Sequence, residues 1–229
     1  MRLPHKTLER KLFSEGYRFV IGVDEVGMGC LAGPVVVCAV LFDKFFFTRS
    51  HKKLHWLRDS KLLSPQQREK FVSELNKERG LKFQIAHCFP KTIDKINVYQ
   101  AARLAMKRAI RKLAISCKLC AVGRNKKLKA YNLKPKAIVL VDGKNPIEGL
   151  KLPQMAIVKG DRKIFSIACA SLIAKVTRDK IMKSYAKKFP NYGFEKHKGY
   201  GTKFHQAQLA VLGPCKIHRR SFAPVAKML

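Results

Sequence analysis

The stretch Phe19-Val-Ile-Gly-Val-Asp-Glu-Val-Gly27 places two adjacent carboxylates, Asp24 and Glu25, at the end of an apolar run. Val and Ile dominate that run, so it reads as a buried strand, with a glycine-rich turn after it. A carboxylate buried without a partner is strongly unfavourable. Acid is also scarce in this chain. Its 229 residues hold 48 Lys and Arg against 15 Asp and Glu, a formal net charge of +33. A divalent metal ion is the expected partner of the Asp24–Glu25 pair. A polyanion is the expected partner of the surrounding positive charge.

Outward from this strand the chain reads as mixed α/β. Val35–Phe42 is a second apolar strand, and residues 43–58 are a basic, aromatic insertion without a clear period. Ser64-Pro65 starts a helix, as N-cap and first helical residue, that is expected to run to about Arg79 before Gly80. Leu81–Cys88 alternates like a strand, and Thr92–Ile115 has one continuous helical period. Residues 118–136 are a basic loop. Ala137–Val141 and Met155–Val158 are short strands, Phe165–Lys188 is a long helix, and Lys203–Leu212 is the last clear helix. No internal repeat or long linker divides the chain, so a single domain is expected, with an α/β core over about 14–188 and a helical part over about 189–229.

Several function classes are disfavoured. The longest apolar run, Val35–Phe42, is too short to span a bilayer, so no membrane partner is expected. The N-terminus lacks the apolar region of a signal peptide. Seven cysteines, most in apolar contexts, suit a reducing cytoplasm, where Cys acts as a small hydrophobe. Cys117-Lys-Leu-Cys120 has half the spacing of a zinc site, but no second pair follows, so no structural zinc is expected.

Two more acids share the placement of Asp24 and Glu25. Asp142 follows the strand Ala137–Val141, and Asp161 follows Met155–Val158. Ligand sites in open α/β sheets gather beyond the strand ends. Read singly, Asp142 before Gly143 is a turn former and Asp161 a helix cap. Read together, the four form an all-oxygen donor set suited to Mg²⁺ or Mn²⁺. Two such ions roughly 3.5–4 Å apart can activate water for phosphodiester hydrolysis. Asp179 differs. With Ser171 and Lys175 it lines one helix face at i, i+4, i+8, and pairing with Lys175 gives it a structural role. Glu69, Glu74, Glu78 and Asp94 read as solvated helix faces.

The motifs also occur in a familiar order. Gly22-Val-Asp-Glu-Val-Gly27 with Leu31-Ala-Gly-Pro-Val35 resembles the signature of type 2 ribonucleases H (ribonuclease HII) of the bacterial type. So do Asp59-Ser-Lys61, Asn97-Val-Tyr-Gln-Ala-Ala102, Val141-Asp-Gly143 and Val158-Lys-Gly-Asp161. Ala168–Asp179, Phe189–Phe194, His197-Lys-Gly-Tyr-Gly-Thr202 and His218–Val225 complete the series across nearly the whole chain.

The resemblance implies a ribonuclease H-like fold, a central mixed sheet flanked by helices with a C-terminal helical extension. It implies cleavage of RNA in RNA–DNA hybrids, and 5′ of single ribonucleotides in duplex DNA, leaving 3′-hydroxyl and 5′-phosphate ends. Asp24, Glu25, Asp142 and Asp161 would be the catalytic metal ligands for Mn²⁺ or Mg²⁺. Tyr200 would stack by the sugar at the ribose–deoxyribose junction, and the Gly27-Met28-Gly29 backbone would approach the 2′-hydroxyl, which distinguishes RNA from DNA. Ser60, Lys61, Lys159, Lys175 and Lys198 are further candidates for substrate contact. The implied partner is an RNA–DNA hybrid or ribonucleotide-containing DNA, bound by a monomer.

The family pattern has Arg at 28 and Pro at 30, where this chain has Met28 and Cys30. Met28 removes a charge-assisted phosphate contact but leaves the flanking glycines. The segments at about 45–57 and 123–135 are longer than usual and would add salt-dependent phosphate contacts.

Two other readings fit part of the pattern. A strand-transfer enzyme or other two-metal nuclease of related fold would use similar acids without needing a 2′-hydroxyl. A non-catalytic, basic nucleic-acid-binding protein would explain the charge but not the acids at strand ends.

Overall fold

The computed structural model describes residues 3–49, 54, 60, 63–117 and 137–229. Five strands form one mixed sheet in the order β3-β2-β1-β4-β5. They are β1 (Phe19–Val26), β2 (Val35–Asp43), β3 (Leu81–Cys88), β4 (Ala137–Asp142) and β5 (Gln154–Ile157). β1, β2 and β3 pair antiparallel, whereas β1, β4 and β5 pair parallel.

Helices cover both faces, which is why Val35–Phe42 is apolar at every position. On one face Val20, Val36, Val40, Phe42 and Leu140 pack against α7 (Phe165–Lys188). On the other, Ile21, Val23, Val37 and Val139 meet α5 (Val98–Ser116) through Ala105, Ala109 and Leu113. Phe165–Ala174 is buried without interruption, so the first turns of α7 are enclosed on all sides. Gly22 permits this. A Cβ there would lie 2.3 Å from the Ser166 carbonyl carbon and oxygen, so only a bare backbone lets α7 cross β1 this closely.

Three sequence expectations need correction. Within the 43–58 insertion, Lys44–Thr48 is a short helix, α2. The Asp43 carboxylate accepts the Phe46 N–H at 3.1 Å, and Phe46 and Phe47 join Phe42 in the core at ring distances of 4.8 and 5.5 Å. A local cap and an aromatic cluster here outweigh a pattern too short to show a period. The 92–115 helix is two helices, α4 (Pro90–Ile96) and α5, broken at Asn97, whose φ of 62° is left-handed and whose side chain caps Gln100 N–H at 2.9 Å. Asp94 is not a solvated face residue. It accepts the backbone N–H groups of Arg220 and Ser221 at 3.1 and 2.9 Å and the Ser221 hydroxyl at 2.7 Å.

The remaining helices are α1 (Thr7–Ser14), α3 (Pro65–Lys77), α6 (Gly160–Lys163), α8 (Phe194–His197), α9 (Lys203–Leu212) and α10 (Ala223–Ala226). α3 begins at the expected N-cap Ser64, which forms a capping box with Gln67, and stops two residues earlier than expected. The basic 118–136 segment and Cys120 lie outside the described residues; Cys117 follows α5 directly. No helix among the described residues is long and apolar enough to cross a membrane.

Candidate active site

Parallel pairing of β1 and β4, with Val23 opposite Val141, carries Asp24 and Asp142 to the same edge of the sheet. β5 ends one strand further along, and Asp161 stands in the first turn of α6 beyond it. Asp24, Glu25, Asp142 and Asp161 line a single cleft of about 590 Å³. The four acids expected at the strand ends therefore line one cleft.

Successive strand residues point to opposite faces. Asp24 is turned to the α7 side, near Ser171. Glu25 is turned to the α5 side, where it borders a hollow lined by Tyr99, Arg103 and Asn145. The pair thus straddles the end of β1. Burial, then repulsion from Glu25 and Asp142, raises the Asp24 pKa well above the usual carboxylate range. Burial, then repulsion from Asp142, raises Glu25 to about 7, against a smaller pull from Arg103.

This donor set fits a divalent cation. The Glu25 Oε2 atom is buried with no hydrogen-bond partner among the described residues, and the acids repel one another. One oxygen each of Asp24 and Asp142 is held by backbone, the N–H of Glu25 at 2.8 Å and of Gly160 at 2.6 Å. Among the described residues no three His, Cys, Asp or Glu side chains already converge as an ion cage. Asp161 is not a helix N-cap; Lys159 precedes that helix.

Other candidates separate by position. Gly27, Met28, Gly29, Ser60, Lys175 and Tyr200 all line the cleft. Ser60 is buried, with its hydroxyl 3.4 Å from that of Ser171. Lys175 is paired with Asp179 at 2.8 Å, the expected intrahelical contact. Lys159 and Lys198, both in left-handed backbone positions, lie outside the cleft wall, and Lys198 donates instead to the Glu195 carbonyl. Lys61 lies outside the described residues.

Three arginines escaped the sequence reading. Arg68 lines the cleft and binds the second oxygen of Asp179 at 2.9 Å. Arg178 and Arg219 are fully buried. Arg178 donates to the carbonyls of Pro34, Lys198 and Ala32 at 3.0, 2.8 and 3.1 Å. Arg219 donates to those of Gly33, Met28 and Gly27 at 3.0, 2.8 and 2.7 Å. Together they hold the loop from Gly27 to Pro34. Gly27, at φ 100°, has no room for a side chain, since a Cβ would lie 2.3 Å from Arg178 Nε. In so basic a chain two more arginines read as surface charge. The available signal was the placement of Arg178 four and eight residues after Ala174 and Ala170, on a buried face.

The ribonuclease HII family model matches residues 21–225, a span that includes all four carboxylates and the glycine loop. The chain belongs to the ribonuclease HII family. It is a hydrolase, an endoribonuclease of the ribonuclease H type that acts on RNA–DNA hybrids. The ribonuclease HII of Caldicellulosiruptor saccharolyticus is 46% identical over 215 residues, covering 94% of this chain and 92% of that protein. Among solved structures, the ribonuclease H2 of Pyrococcus horikoshii OT3 superposes with a TM-score of 0.63 at 26% identity, covering 92% of this chain and 96% of that one. Bst-RNase HIII in complex with Mn²⁺ superposes with a TM-score of 0.68 at 16% identity, covering 93% of this chain and 70% of that one; this likeness concerns the fold. These neighbours share the mixed sheet flanked by helices.

Proposed function

We propose that the protein cuts on the 5′ side of a ribonucleotide in a duplex, including a single ribonucleotide embedded in DNA. The products are a 3′-hydroxyl and a 5′-phosphate. Its role would be removal of misplaced ribonucleotides and RNA primers in the cytoplasm, acting as a monomer. The observation that carries this reading is one cleft with two kinds of wall. Four carboxylates line it, and so do Gly27-Met28-Gly29 and Tyr200.

The loop wall supplies the means to read a sugar. Arg219 draws the carbonyls of Gly27 and Met28 toward itself. A trans peptide is planar, so the N–H groups of Met28 and Gly29 point the opposite way. Backbone donors on the cleft-lining loop suit the 2′-hydroxyl, which both donates and accepts. Tyr200, 40% exposed, offers a ring face at the same wall. In this reading residues 14–188 are the catalytic core and 189–229 complete the substrate site, within one domain.

Asp24, Glu25, Asp142 and Asp161 would hold the divalent ions. Mn²⁺ or Mg²⁺ suits their oxygen donors, and Mn²⁺ is present in the Bst-RNase HIII neighbour. When bound, a pair of ions lowers the pKa of a water and neutralises charge developing on the phosphodiester. Lys175 and Arg68 stand by for the phosphate, held in place by Asp179.

The test is a cleavage map on an all-DNA duplex beside the same duplex with one ribonucleotide, with each metal and with Asp142→Asn as control. Cutting only 5′ of the ribonucleotide, lost in the mutant, is expected. Equal cutting of both duplexes would favour a general two-metal nuclease, and full activity of the mutant would remove the carboxylates from the chemistry.

A further inference from the structure

Tyr200 reaches the cleft from a loop, and the packing behind that loop is unusual. Of the seven histidines in the chain, His197, His205 and His218 are buried together beneath it. They come from the end of α8, the first turn of α9, and the segment before α10.

Their hydrogen bonds assign their protons. The Cys215 backbone N–H donates to His218 Nδ1 at 2.9 Å, so His218 carries its proton on Nε2. The Tyr200 carbonyl lies 2.9 Å from His205 Nδ1. A carbonyl only accepts, so His205 carries its proton on Nδ1. The two Nε2 atoms then face each other at 3.1 Å as one donor and one acceptor. A directed chain results, from Cys215 N–H through His218 and His205 to the Tyr200 carbonyl. His197 obeys the same logic. It accepts from Gly199 N–H at 3.1 Å, donates to the Tyr192 carbonyl at 2.7 Å, and stacks on His205 at 4.2 Å.

Both nitrogens of all three rings are thus satisfied with every ring neutral. The titratable groups facing the pair are His197, Tyr192 at 5.2 Å from His218, and Cys215; Phe194 packs against both rings. Arg219, next in the chain, directs its guanidinium to the glycine loop instead. Burial holds all three imidazoles below their ordinary pKa, in accord with neutrality.

Backbone contacts also join the Tyr200 segment to the glycine loop. Tyr200 pairs with Cys30, and Leu31 N–H donates to the Gly199 carbonyl at 2.8 Å. Arg219 N–H donates to the Leu31 carbonyl at 2.8 Å, while its side chain holds Gly27 and Met28.

We infer that the His218–His205 pair is a positioning relay that fixes the backbone at Tyr200, and so the placement of its ring against the ribose junction. This rests on the reading in which Tyr200 contacts the substrate sugar. An apolar filler would occupy the same space but could not hold a carbonyl. The relay's importance should appear in substrate recognition more than in turnover.

The test is steady-state kinetics on the single-ribonucleotide duplex, with Tyr200→Ala measured alongside. His205→Leu removes the donor to Tyr200 and should raise KM by roughly tenfold with kcat changed by less than about twofold. His205→Asn places an amide N–H near the lost Nδ1–H and should recover KM to within about threefold of the parent. His218→Asn keeps an acceptor for Cys215 while cutting the link between the rings, and should raise KM as well. Ring-nitrogen NMR of the unmodified protein should show His205 protonated on Nδ1 and His218 on Nε2, whatever the fate of the variants. A raised KM in Tyr200→Ala but not in His205→Leu, or the opposite tautomers, would overturn the relay. An unchanged KM in Tyr200→Ala would overturn the reading of Tyr200 itself, and the relay's purpose with it.

Discussion

Arg219 Nη2 donates to the Gly27 carbonyl at 2.7 Å, across 192 positions of chain. The tail thereby holds the loop that follows β1. Arg219 is buried with no carboxylate at its guanidinium among the described residues, and burial pulls its pKa down to about 10. Three backbone carbonyls are its counterpart. A lysine ammonium cannot span all three. Arg219→Lys should therefore leave buried carbonyls unsatisfied and lower stability by about 2–5 kcal/mol in urea unfolding, with activity falling as the loop loosens. A loss below about 0.5 kcal/mol would show that the loop holds itself.

Gly22 gives a sharper steric case. An alanine methyl would meet the Ser166 carbonyl carbon and oxygen at 2.3 Å and the Ile167 nitrogen at 2.7 Å, all backbone atoms that cannot rotate away. Gly22→Ala should cost about 2 kcal/mol or more, a melting-point drop of at least about 4 °C. Gly29→Ala is the control. Nothing lies within 4 Å of its Cβ position, and its melting point should stay within about 1 °C of the parent.

Glu25 links charge to stability in the metal-free protein. Its pKa is raised from 4.5 to about 7 by burial and then by Asp142. Between those values the folded chain binds more protons than the unfolded one, so this group lowers stability as pH rises through that window. In chelator, Glu25→Gln should melt at the parent's temperature near pH 4.5 and above it near pH 7. Added Mn²⁺ should reverse the order at pH 7, because only the parent keeps the full donor set. A gap independent of pH would contradict the buried, repelled carboxylate. The same variant should lose cleavage activity by at least about a hundredfold.

The buried imidazoles act in the opposite direction. Burial lowers His205 and His218 from 6.5 to about 4. Between those values the unfolded chain binds more protons, so their effect is absent above about pH 6.5 and destabilises progressively as pH falls toward 4. NMR titration should show both rings neutral, each with a single ring proton, at pH 5.5. Midpoints near 6.5 would mean that the rings are open to solvent.

Much of this molecule was legible from residue order. The apolar runs at Phe19–Val26, Val35–Phe42 and Ala137–Val141 marked three strands of the sheet because burial on both faces demands apolar residues throughout. Acids closing such runs marked the candidate site, since few other roles suit them in a chain so poor in acid. The correct bounds of α7 and α9 followed from the breakers beyond them, Phe189-Pro190 and Gly213-Pro214, which are local. α2 and the break at Asn97 did not follow, since each depends on one hydrogen bond within a short segment that carries no period.

What the sequence by itself determined was where the candidate acids stand: two on β1, one closing β4, one beyond β5, and a glycine turn beside them. Covalent order sufficed there, because each acid stands next to the apolar run that places it. Only the tertiary structure decided how the loop that lines the cleft is held. Asp94 ties α4 to residues 220–221, Arg178 and Arg219 grip the Gly27–Pro34 loop, and His205 and His218 stand behind Tyr200. Those contacts join residues far apart in the chain through buried polar groups. A buried Arg or His has the same letter as an exposed one, and packing alone makes the difference.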